Sequence, residues 1–295
     1  MRVSRRSFLA GLGALALPLS LRAAQSWQFG YTAMTWGNEQ VQAMDDIAEL
    51  GFAGVQFRAE VMDAFKPAEL RSMLESRKLV FTALSSGQVA LDAKPEDEIA
   101  KHVANARYVK ECGGLYLQLL DKLEGHPRKA TPEQCKQLGK LLTEIGKQTA
   151  DLGIPLGYHN HLNTLSESPD ALDAIMAASD PRYVKLELDT AHAVAGGGDP
   201  AKMIESYKDR LLFLHLKDVV DLPEIGKGKY PFQFVELGRG HVDIPAVFAS
   251  LEKTGFKGWV VIELDRVPPG GGTPKDSAQI SKAYLQQKIG IKFPR

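Results

Sequence analysis

The pattern that decides the fold is clearest in residues 183–192, which read YVKLELDTAH. Apolar and polar side chains alternate along this segment, as they do in a β-strand, and the alternation stops at Asp189. A stretch with helical spacing follows at Pro200–Tyr207, and a second apolar run, LLFLHLKD, occupies residues 211–218. A strand, a helix and another strand in this order predict parallel strands with a helix packed over them.

The same alternation of strands and helices begins at residue 27. The predicted strands are Trp27–Ala33, Gly54–Arg58, Leu79–Leu84, Leu115–Leu119, Pro155–His161, Tyr183–Asp189, Leu211–Leu216 and Trp259–Leu264. The predicted helices are Val41–Leu50, Pro67–Ser76, Glu96–Lys110, Pro132–Leu152, Asp170–Ala178, Pro200–Tyr207, Ile244–Lys253 and Lys275–Gln287. Gly51, Gly153 and Gly255 follow three of these helices, where a glycine commonly forms the C-cap.

Eight strands, each followed by a helix, predict an α/β fold of the (β/α)8 TIM barrel type. The alternative is an open doubly wound sheet, but Thr32–Gly37 after the first strand does not resemble the GxGxxG phosphate loop of such folds. No linker or low-complexity segment interrupts the chain, so we expect a single barrel domain over residues 25–295. The longest loop, Val219–Val242, follows strand seven and is expected to overhang the catalytic face.

The first 24 residues are predicted to be a twin-arginine signal peptide. Arg5 and Arg6 precede the apolar run Leu9–Leu21, which at about 13 residues is too short to cross a membrane as a helix. We therefore expect export to the periplasm by the twin-arginine route, with no stable membrane anchor after cleavage. A retained anchor is the alternative.

The charge and the cysteines narrow the choice of partner and compartment. The chain carries 36 basic and 36 acidic residues, and removal of residues 1–24 takes away four arginines and no acid, which leaves a net charge of −4. Such a charge predicts no nucleic-acid partner, because binding to phosphates needs a basic surface. Cys112 and Cys135 lie in segments with helical periodicity, so we expect buried free thiols and no disulfide.

Four consecutive predicted strands end with a side chain that can bind a metal: His159, Asp189, His215 and Glu263, on strands five to eight. Because the active site of a barrel lies at the carboxyl ends of its strands, these side chains are expected to meet there. Burying such groups without partners is unfavourable. One divalent cation bound by all four would explain why each of these strands ends in a buried polar or charged side chain. A mixed set of imidazoles and carboxylates suits Mn²⁺, Zn²⁺, Co²⁺ or Fe²⁺ better than Ca²⁺.

Five segments resemble the sugar phosphate isomerase/epimerase family, the xylose-isomerase-like barrels that include inosose dehydratase and endonuclease IV. They are Gly51–Gln56, Tyr158–His161, Leu188–His192, His215–Asp218 and Leu237–Asp243. The resemblance implies a metal held by Glu, Asp, His and Glu on strands five to eight. Asp189, His215 and Glu263 match this pattern, whereas His159 replaces the first Glu within a YHNH variant. Whether His159 or His161 is the ligand stays open.

The resemblance also implies groups that move protons. Glu263 is the candidate carboxylate base, and with His at position 159 a histidine is expected to serve on the other face of the substrate. The candidates are His161 and His192. Strand alternation directs His161 toward the same side as His159, and an imidazole titrates near neutral pH.

The remaining predicted site residues form a polar pocket. Substrate contacts are expected from four side chains, namely Trp36, Arg58, Gln118 and Lys217, with Trp36 as an aromatic wall for a sugar ring. Alternation along strand six places Lys185, Glu187 and Asp189 on one face. Glu187 is expected to lie one layer below the metal, in a structural ion pair with Lys185.

Such a site predicts a metal-dependent isomerase, epimerase or lyase that removes the proton next to a carbonyl of a keto-sugar or cyclitol. Narrower alternatives are a 3-keto-glycoside lyase or hydrolase and an inosose-type dehydratase. Two other classes are a non-catalytic sugar-binding barrel and an endonuclease IV-like nuclease, and the export signal and the charge argue against the nuclease. The expected partner is a small sugar-like molecule, and the resemblance is compatible with a homodimer.

Overall fold

Eight parallel strands close into a barrel in a computed structural model that describes residues 27–122, 129–222 and 232–293. The barrel strands are β1 Trp27–Thr32, β2 Gly54–Arg58, β3 Val80–Val89, β4 Tyr116–Asp121, β5 Leu156–His159, β6 Val184–Asp189, β7 Leu211–Leu216 and β10 Gly258–Ile262. Each strand pairs with the next in sequence around the barrel, and β1 pairs with β10 to close it. The predicted TIM barrel is confirmed.

Helices connect the strands and cover the barrel. They are α1 Gln40–Glu49, α2 Val61–Ala64, α3 Pro67–Arg77, α4 Pro95–Glu111, α5 Pro132–Asp151, α6 Pro169–Ala178, α7 Thr190–Ala195, α8 Pro200–Ser206, α9 Ile244–Lys253 and α10 Pro274–Tyr284. Many begin with proline, whose missing N–H costs nothing in the first turn. Gly51, Gly153 and Gly255 follow α1, α5 and α9 at φ values of 79°, 79° and 67°, which confirms the predicted C-caps. No helix within the described residues has the length and apolarity needed to cross a membrane.

The barrel has two layers of side chains. Residues such as Tyr31, Phe57 and Leu186 point outward and pack in the large core beneath the helices. Inside the barrel, Phe213 and Trp259 belong to a second apolar cluster. Because side chains two residues apart share a face, the polar residues that follow Phe213 and Trp259 lie one or two layers nearer the carboxyl ends of the strands, which we call the mouth.

The long loop after β7 contains an antiparallel hairpin that the sequence did not predict. Its strands are β8 Asp218–Asp221 and β9 Phe232–Val235, and residues 223–231 lie outside the described part of the chain. The carboxylate of Asp218 fastens this loop to the barrel, because it accepts backbone N–H groups of Val219, Gly238, Gly240 and Val242 at 2.9–3.0 Å.

Gly240 is required for the close approach of the loop to Asp218. A Cβ at position 240 would lie 2.2 Å from Oδ1 of Asp218 and 2.5 Å from the carbonyl oxygen of Val219. We call Asp218 and the four N–H groups it accepts the Asp218 anchor.

Two predictions made outside the barrel have different outcomes. Cys112 and Cys135 are both buried and unpaired in this structure. The predicted signal peptide, residues 1–24, lies outside the described residues.

Candidate metal centre

The four predicted ligands meet at the mouth, and all are buried. The Nδ1 atom of His215 lies 3.0 Å from Oε2 of Glu263 and 3.9 Å from Oδ2 of Asp189. His159, Asp189 and His215 each offer one ligand atom, and these three atoms lie within 4.8 Å of one another. Two further sets of possible ligand atoms meet the same limit, His159 with His161 and His192, and Asp189 with His192 and Glu263. Parallel neighbouring strands therefore bring the predicted ligands to one region, where His161 is also within reach of a metal.

Two glutamines from the opposite side of the barrel orient His215. The Oε1 atom of Gln56 lies 2.8 Å from Nε2 of His215, and Gln56 donates its own amide hydrogen to Gln118 across 3.3 Å. The carbonyl-type Oε1 can only accept, so Nε2 of His215 carries the proton. In the neutral ring Nδ1 then presents a lone pair toward the carboxylates, as a metal ligand would.

Several buried atoms around His215 have no hydrogen-bond partner within the described residues. They are Nδ1 of His159, both carboxylate oxygens of Glu187, Oδ2 of Asp189 and Nδ1 of His215. Buried polar atoms are normally hydrogen-bonded, and a group of orphans that face one another is the exception. Imidazole nitrogens and carboxylate oxygens together form a donor set that fits a divalent transition-metal ion or zinc.

The prediction for Glu187 requires correction. Its carboxylate lies 2.6 Å from Nδ1 of His159 and 3.2 Å from Nδ1 of His215, so its close partners are two imidazoles and not Lys185. The reason is the register of β5 and β6, which sets His159 directly beside Glu187. Glu187 therefore belongs to the group of buried acids and imidazoles. We call His159, Glu187, Asp189, His215 and Glu263 the acid–imidazole cluster.

Asp189 divides its two oxygens between structure and cluster. Oδ1 accepts the backbone N–H of His192 at 2.8 Å and so caps α7. The main chain of Asp189 is fixed by Asn160, whose side chain accepts its N–H at 2.9 Å and donates to its carbonyl at 3.1 Å. Oδ2 remains free to bind an ion.

Lys217 places a buried ammonium group at the mouth. Its Nζ lies 2.8 Å from Oε1 of Glu263 and 2.6 Å from Oδ1 of Asp265. The ring of Phe234, from β9 of the hairpin, covers the ammonium at 3.9 Å. A fourth neighbour, Nε2 of His192, lies at 3.4 Å.

The main chain of Leu162 contacts Nδ1 of both His161 and His192. Nδ1 of His161 lies 2.6 Å from the carbonyl oxygen of Leu162 and must donate to it, which leaves Nε2 of the neutral ring free to accept a proton. Nδ1 of His192 accepts the N–H of Leu162 at 3.3 Å, which favours a proton on Nε2, whereas the ammonium of Lys217 at 3.4 Å from Nε2 favours the opposite tautomer. The two rings lie 3.8 Å apart at 34°.

Burial and charge shift the pKa values across the site. Burial raises the pKa of Asp189 to about 6. Burial alone would lower the pKa of His215, but the carboxylates of Glu187 and Glu263 offset it and raise the value to about 9. The pKa of Glu263 shifts in the opposite direction to that of Asp189. Lys217 and His215 hold the pKa of Glu263 well below its usual range despite its burial. These shifts belong to the metal-free protein.

The expectation that His161 and His192 titrate near neutral pH is wrong for the metal-free protein. Burial, with the nearby His159, lowers the pKa of His161 to about 3, and burial also holds the pKa of His192 well below its usual range. Both rings are therefore neutral at physiological pH.

The predicted substrate pocket is only partly assembled. Trp36 does not form an aromatic wall: it is buried in the outer layer, donates from Nε1 to Asp46 at 2.8 Å and packs edge-on against Tyr31. The short 3-10 turn Ala33–Trp36 after β1 directs it toward α1 and away from the mouth. Gln118 is buried and holds Gln56, and the exposed Arg58 follows Gln56 on the same face of β2. Substrate contacts by these two residues and by Lys217 stay predictions.

Sequence reasoning missed three contributors to this region. Gln56 lies in a segment that resembles the family, and alternation with Arg58 was the available signal. Asp265 comes two residues after Glu263, which indicated the same side of the barrel. Phe234 gave no signal, because only the fold of the hairpin brings it over Lys217 and 4.9 Å from the ring of His192.

The chain is similar to proteins of known fold and activity. A family model described as xylose isomerase-like TIM barrel matches residues 44–287. An inosose dehydratase of Geobacillus kaustophilus is 25% identical over 300 residues, which cover 91% of this chain and 96% of that protein. The solved structure of the IOLI protein with a binding zinc atom has a TM-score of 0.73 at 18% identity, over 88% of this chain and 96% of that one. The structure of the probable 3-DHS dehydratase AsbF of Bacillus anthracis has a TM-score of 0.72 at 16% identity, over 88% and 99%.

Proposed function

The chain belongs to the xylose isomerase-like TIM barrel family, and we propose that it is a divalent-metal-dependent carbon–oxygen lyase that removes water from a keto-cyclitol or keto-sugar. The observation that carries this proposal is the acid–imidazole cluster, in which five buried atoms lack hydrogen-bond partners within the described chain. Its similarity to inosose dehydratases along most of its length supports dehydration over isomerisation.

Four residues of the cluster would hold the metal: His159, Asp189, His215 and Glu263. A divalent cation bound there would polarise the substrate carbonyl and make the hydrogen on the adjacent carbon more acidic. The zinc atom bound to the IOLI protein, which has the same fold, supports this assignment.

The paired histidines are assigned to opposite steps, with His192 in the tautomer that its contact with Leu162 favours. Nε2 of His161 accepts the proton from the carbon next to the carbonyl, as the C–H bond breaks. The C–O bond on the following carbon then breaks, and the departing oxygen takes its electron pair together with the proton from Nε2 of His192. Water leaves, and the new double bond is conjugated with the carbonyl. General acid–base catalysis of this kind contributes about 10²–10⁴-fold.

Glu263 acts as a ligand and as the anchor of Lys217 in this scheme. Both of its oxygens are occupied by cationic or imidazole partners, at 2.8 Å from Lys217 and 3.0 Å from His215. The alternative is that Glu263 is the base of an isomerase or epimerase, as its position on strand eight predicts. The two schemes differ in which residue exchanges the substrate hydrogen with solvent.

The experiment measures elimination and hydrogen exchange together. Zinc- or manganese-loaded protein is incubated with an inosose in D₂O, the conjugated ketone is followed by ultraviolet absorbance, and deuterium in recovered substrate is measured by NMR. H161Q is expected to lower both rates by about 10²–10⁴-fold while the protein keeps its metal. The exposed His241 provides the matched control H241Q, which is expected to behave as wild type.

Three outcomes would change the proposal. Exchange without elimination, with an isomer recovered, would identify an isomerase or epimerase. Exchange that E263Q abolishes while metal content is retained would make Glu263 the base. Sugar binding that persists in metal-free protein, with neither reaction detected, would indicate a non-catalytic binding barrel.

We also propose that the enzyme works in the periplasm after twin-arginine export, which the Arg5–Arg6 pair and the following apolar run support. Replacement of both arginines by lysine is expected to leave the protein in the cytoplasmic fraction. Equal amounts of periplasmic wild-type and variant protein would contradict this proposal.

A further inference from the structure

Glu187 is a buried carboxylate whose two oxygens both lack a hydrogen-bond partner among the described residues. Each oxygen faces a different imidazole: Oε2 lies 2.6 Å from Nδ1 of His159, and Oε1 lies 3.2 Å from Nδ1 of His215. Leaving an ionised carboxylate buried without compensation is among the most costly arrangements in a protein. Its position therefore calls for a positive charge, which the neighbouring His215 supplies only while its ring is protonated.

Neither imidazole supplies that charge through an aligned hydrogen bond. Nδ1 of His159 and Nδ1 of His215 are themselves without hydrogen-bond partners in the described parts of the chain, although both lie close to Glu187. Atoms that are near one another yet not aligned as donor and acceptor behave as ligand atoms directed at a common point. Oδ2 of Asp189, at 3.9 Å from Nδ1 of His215, belongs to the same group.

The charge of the site points the same way. His159 stands where the resemblance to the family implies a carboxylate, so the four predicted ligands carry two negative charges, on Asp189 and Glu263. The register of β5 and β6 sets Glu187 beside His159 and adds a third. A hard or borderline divalent cation is bound more strongly by a site with more carboxylates.

We propose that Glu187 is a ligand of the divalent metal and supplies from strand six the carboxylate that strand five lacks. This inference rests on the proposed metal site. It makes Glu187 part of the binding machinery and not a structural residue below it.

The test measures metal affinity directly, without any reaction. Purified protein is stripped with a chelator, and the dissociation constants for Zn²⁺ and Co²⁺ are measured by competition with a chelating indicator. E187Q keeps the shape of the side chain and removes its charge, and it is expected to weaken binding by about 100-fold, since even partners outside the ligand shell alter affinity 10–100-fold. K185Q, on the same face of β6, is the matched control and is expected to keep the wild-type affinity.

A second pair of variants separates a ligand from a residue that only orients His159. In H159E the imidazole is gone, so an orienting role for Glu187 disappears with it. A ligand role persists, and E187Q added to H159E is then expected to weaken binding by at least about tenfold more. The Co²⁺ absorption spectrum should also change between wild type and E187Q, because the ligand set changes.

The outcomes distinguish this inference from the proposed function. Wild-type protein that binds neither ion would contradict the metal-dependent function itself. Wild-type binding that E187Q leaves unchanged, or an effect of E187Q that vanishes in H159E, would contradict only the assignment of Glu187 as a ligand. If E187Q does not fold, E187D retains the charge on a shorter side chain, and its unchanged affinity would also contradict the assignment.

Discussion

Asp218 and Glu187 are equally buried carboxylates, both with no exposed surface, yet their surroundings are opposite. Asp218 accepts four backbone N–H groups and holds the loop that carries the hairpin. Glu187 accepts no hydrogen bond from the residues that the structure describes and faces two imidazoles. Burial alone thus does not distinguish a structural acid from a functional one. The distinction lies in whether the protein supplies the hydrogen bonds itself or leaves them for a ligand.

The largest expected effect is on the free energy of unfolding. It is measured in chelator-treated protein, after Asp218 and Glu187 have each been replaced by the corresponding amide. D218N places an NH₂ group against two backbone N–H donors whichever way the amide turns, and it is expected to lower the free energy of unfolding by about 3–5 kcal/mol. E187Q loses no hydrogen bond to the described residues and removes a buried charge, so any fall in the free energy of unfolding is expected to be much smaller than in D218N. Urea unfolding measures both. A loss in E187Q as large as in D218N would mean that Glu187, too, is structural.

A second test uses pH to measure how much the protonated His215 stabilises the metal-free protein. The pKa of His215 is about 9 against an ordinary 6.5. Its contribution to stability is fully present below pH 6.5 and is lost as the pH rises through 9, because the folded state holds the proton more tightly than the unfolded state does. We expect the free energy of unfolding of chelated protein to fall by about 3 kcal/mol across this range. An identical fall in chelated H215Q would assign it to other groups, and H241Q is the control.

The smallest effect on stability is expected at Trp36. Like Asp218, its buried polar group has a hydrogen-bond partner within the protein. W36F removes the hydrogen bond from Nε1 to Asp46 and is expected to cost about 1 kcal/mol of unfolding free energy. Metal affinity and turnover should stay at wild-type values, since the ring lies in the outer layer. A rise in KM for the sugar-like substrate in W36F would indicate that Trp36 contributes to substrate binding after all.

The sequence was sufficient for the barrel because the signals of each element are local. Alternation of period two marks a strand, and proline and glycine mark helix ends, so β2, β7 and α9 have the predicted bounds. The hairpin of β8 and β9 escaped prediction because its pairing joins residues on both sides of a long loop, and no short segment contains that information.

The residues of the candidate site also differ in whether local sequence is enough to predict them. Asp189, His215 and Glu263 could be expected at the mouth, because position at a strand end and resemblance to the family agree. For Glu187 the sequence suggested Lys185, which lies on the same face but about 6.6 Å along the strand, whereas a neighbouring strand is only about 4.8 Å away. Which residue of that strand lies opposite depends on register, and register is a property of the closed barrel.

The side-by-side rings of His161 and His192 have a stereochemical consequence. If His161 is the base and His192 the acid, as proposed, two rings whose centroids lie 3.8 Å apart would approach a cyclic substrate from one side. Elimination between them removes the hydrogen and the hydroxyl from the same face of the ring, which is a syn elimination. A substrate deuterated on one face at the carbon next to the carbonyl would lose its label or keep it according to that face, and the product would record the arrangement of the two histidines.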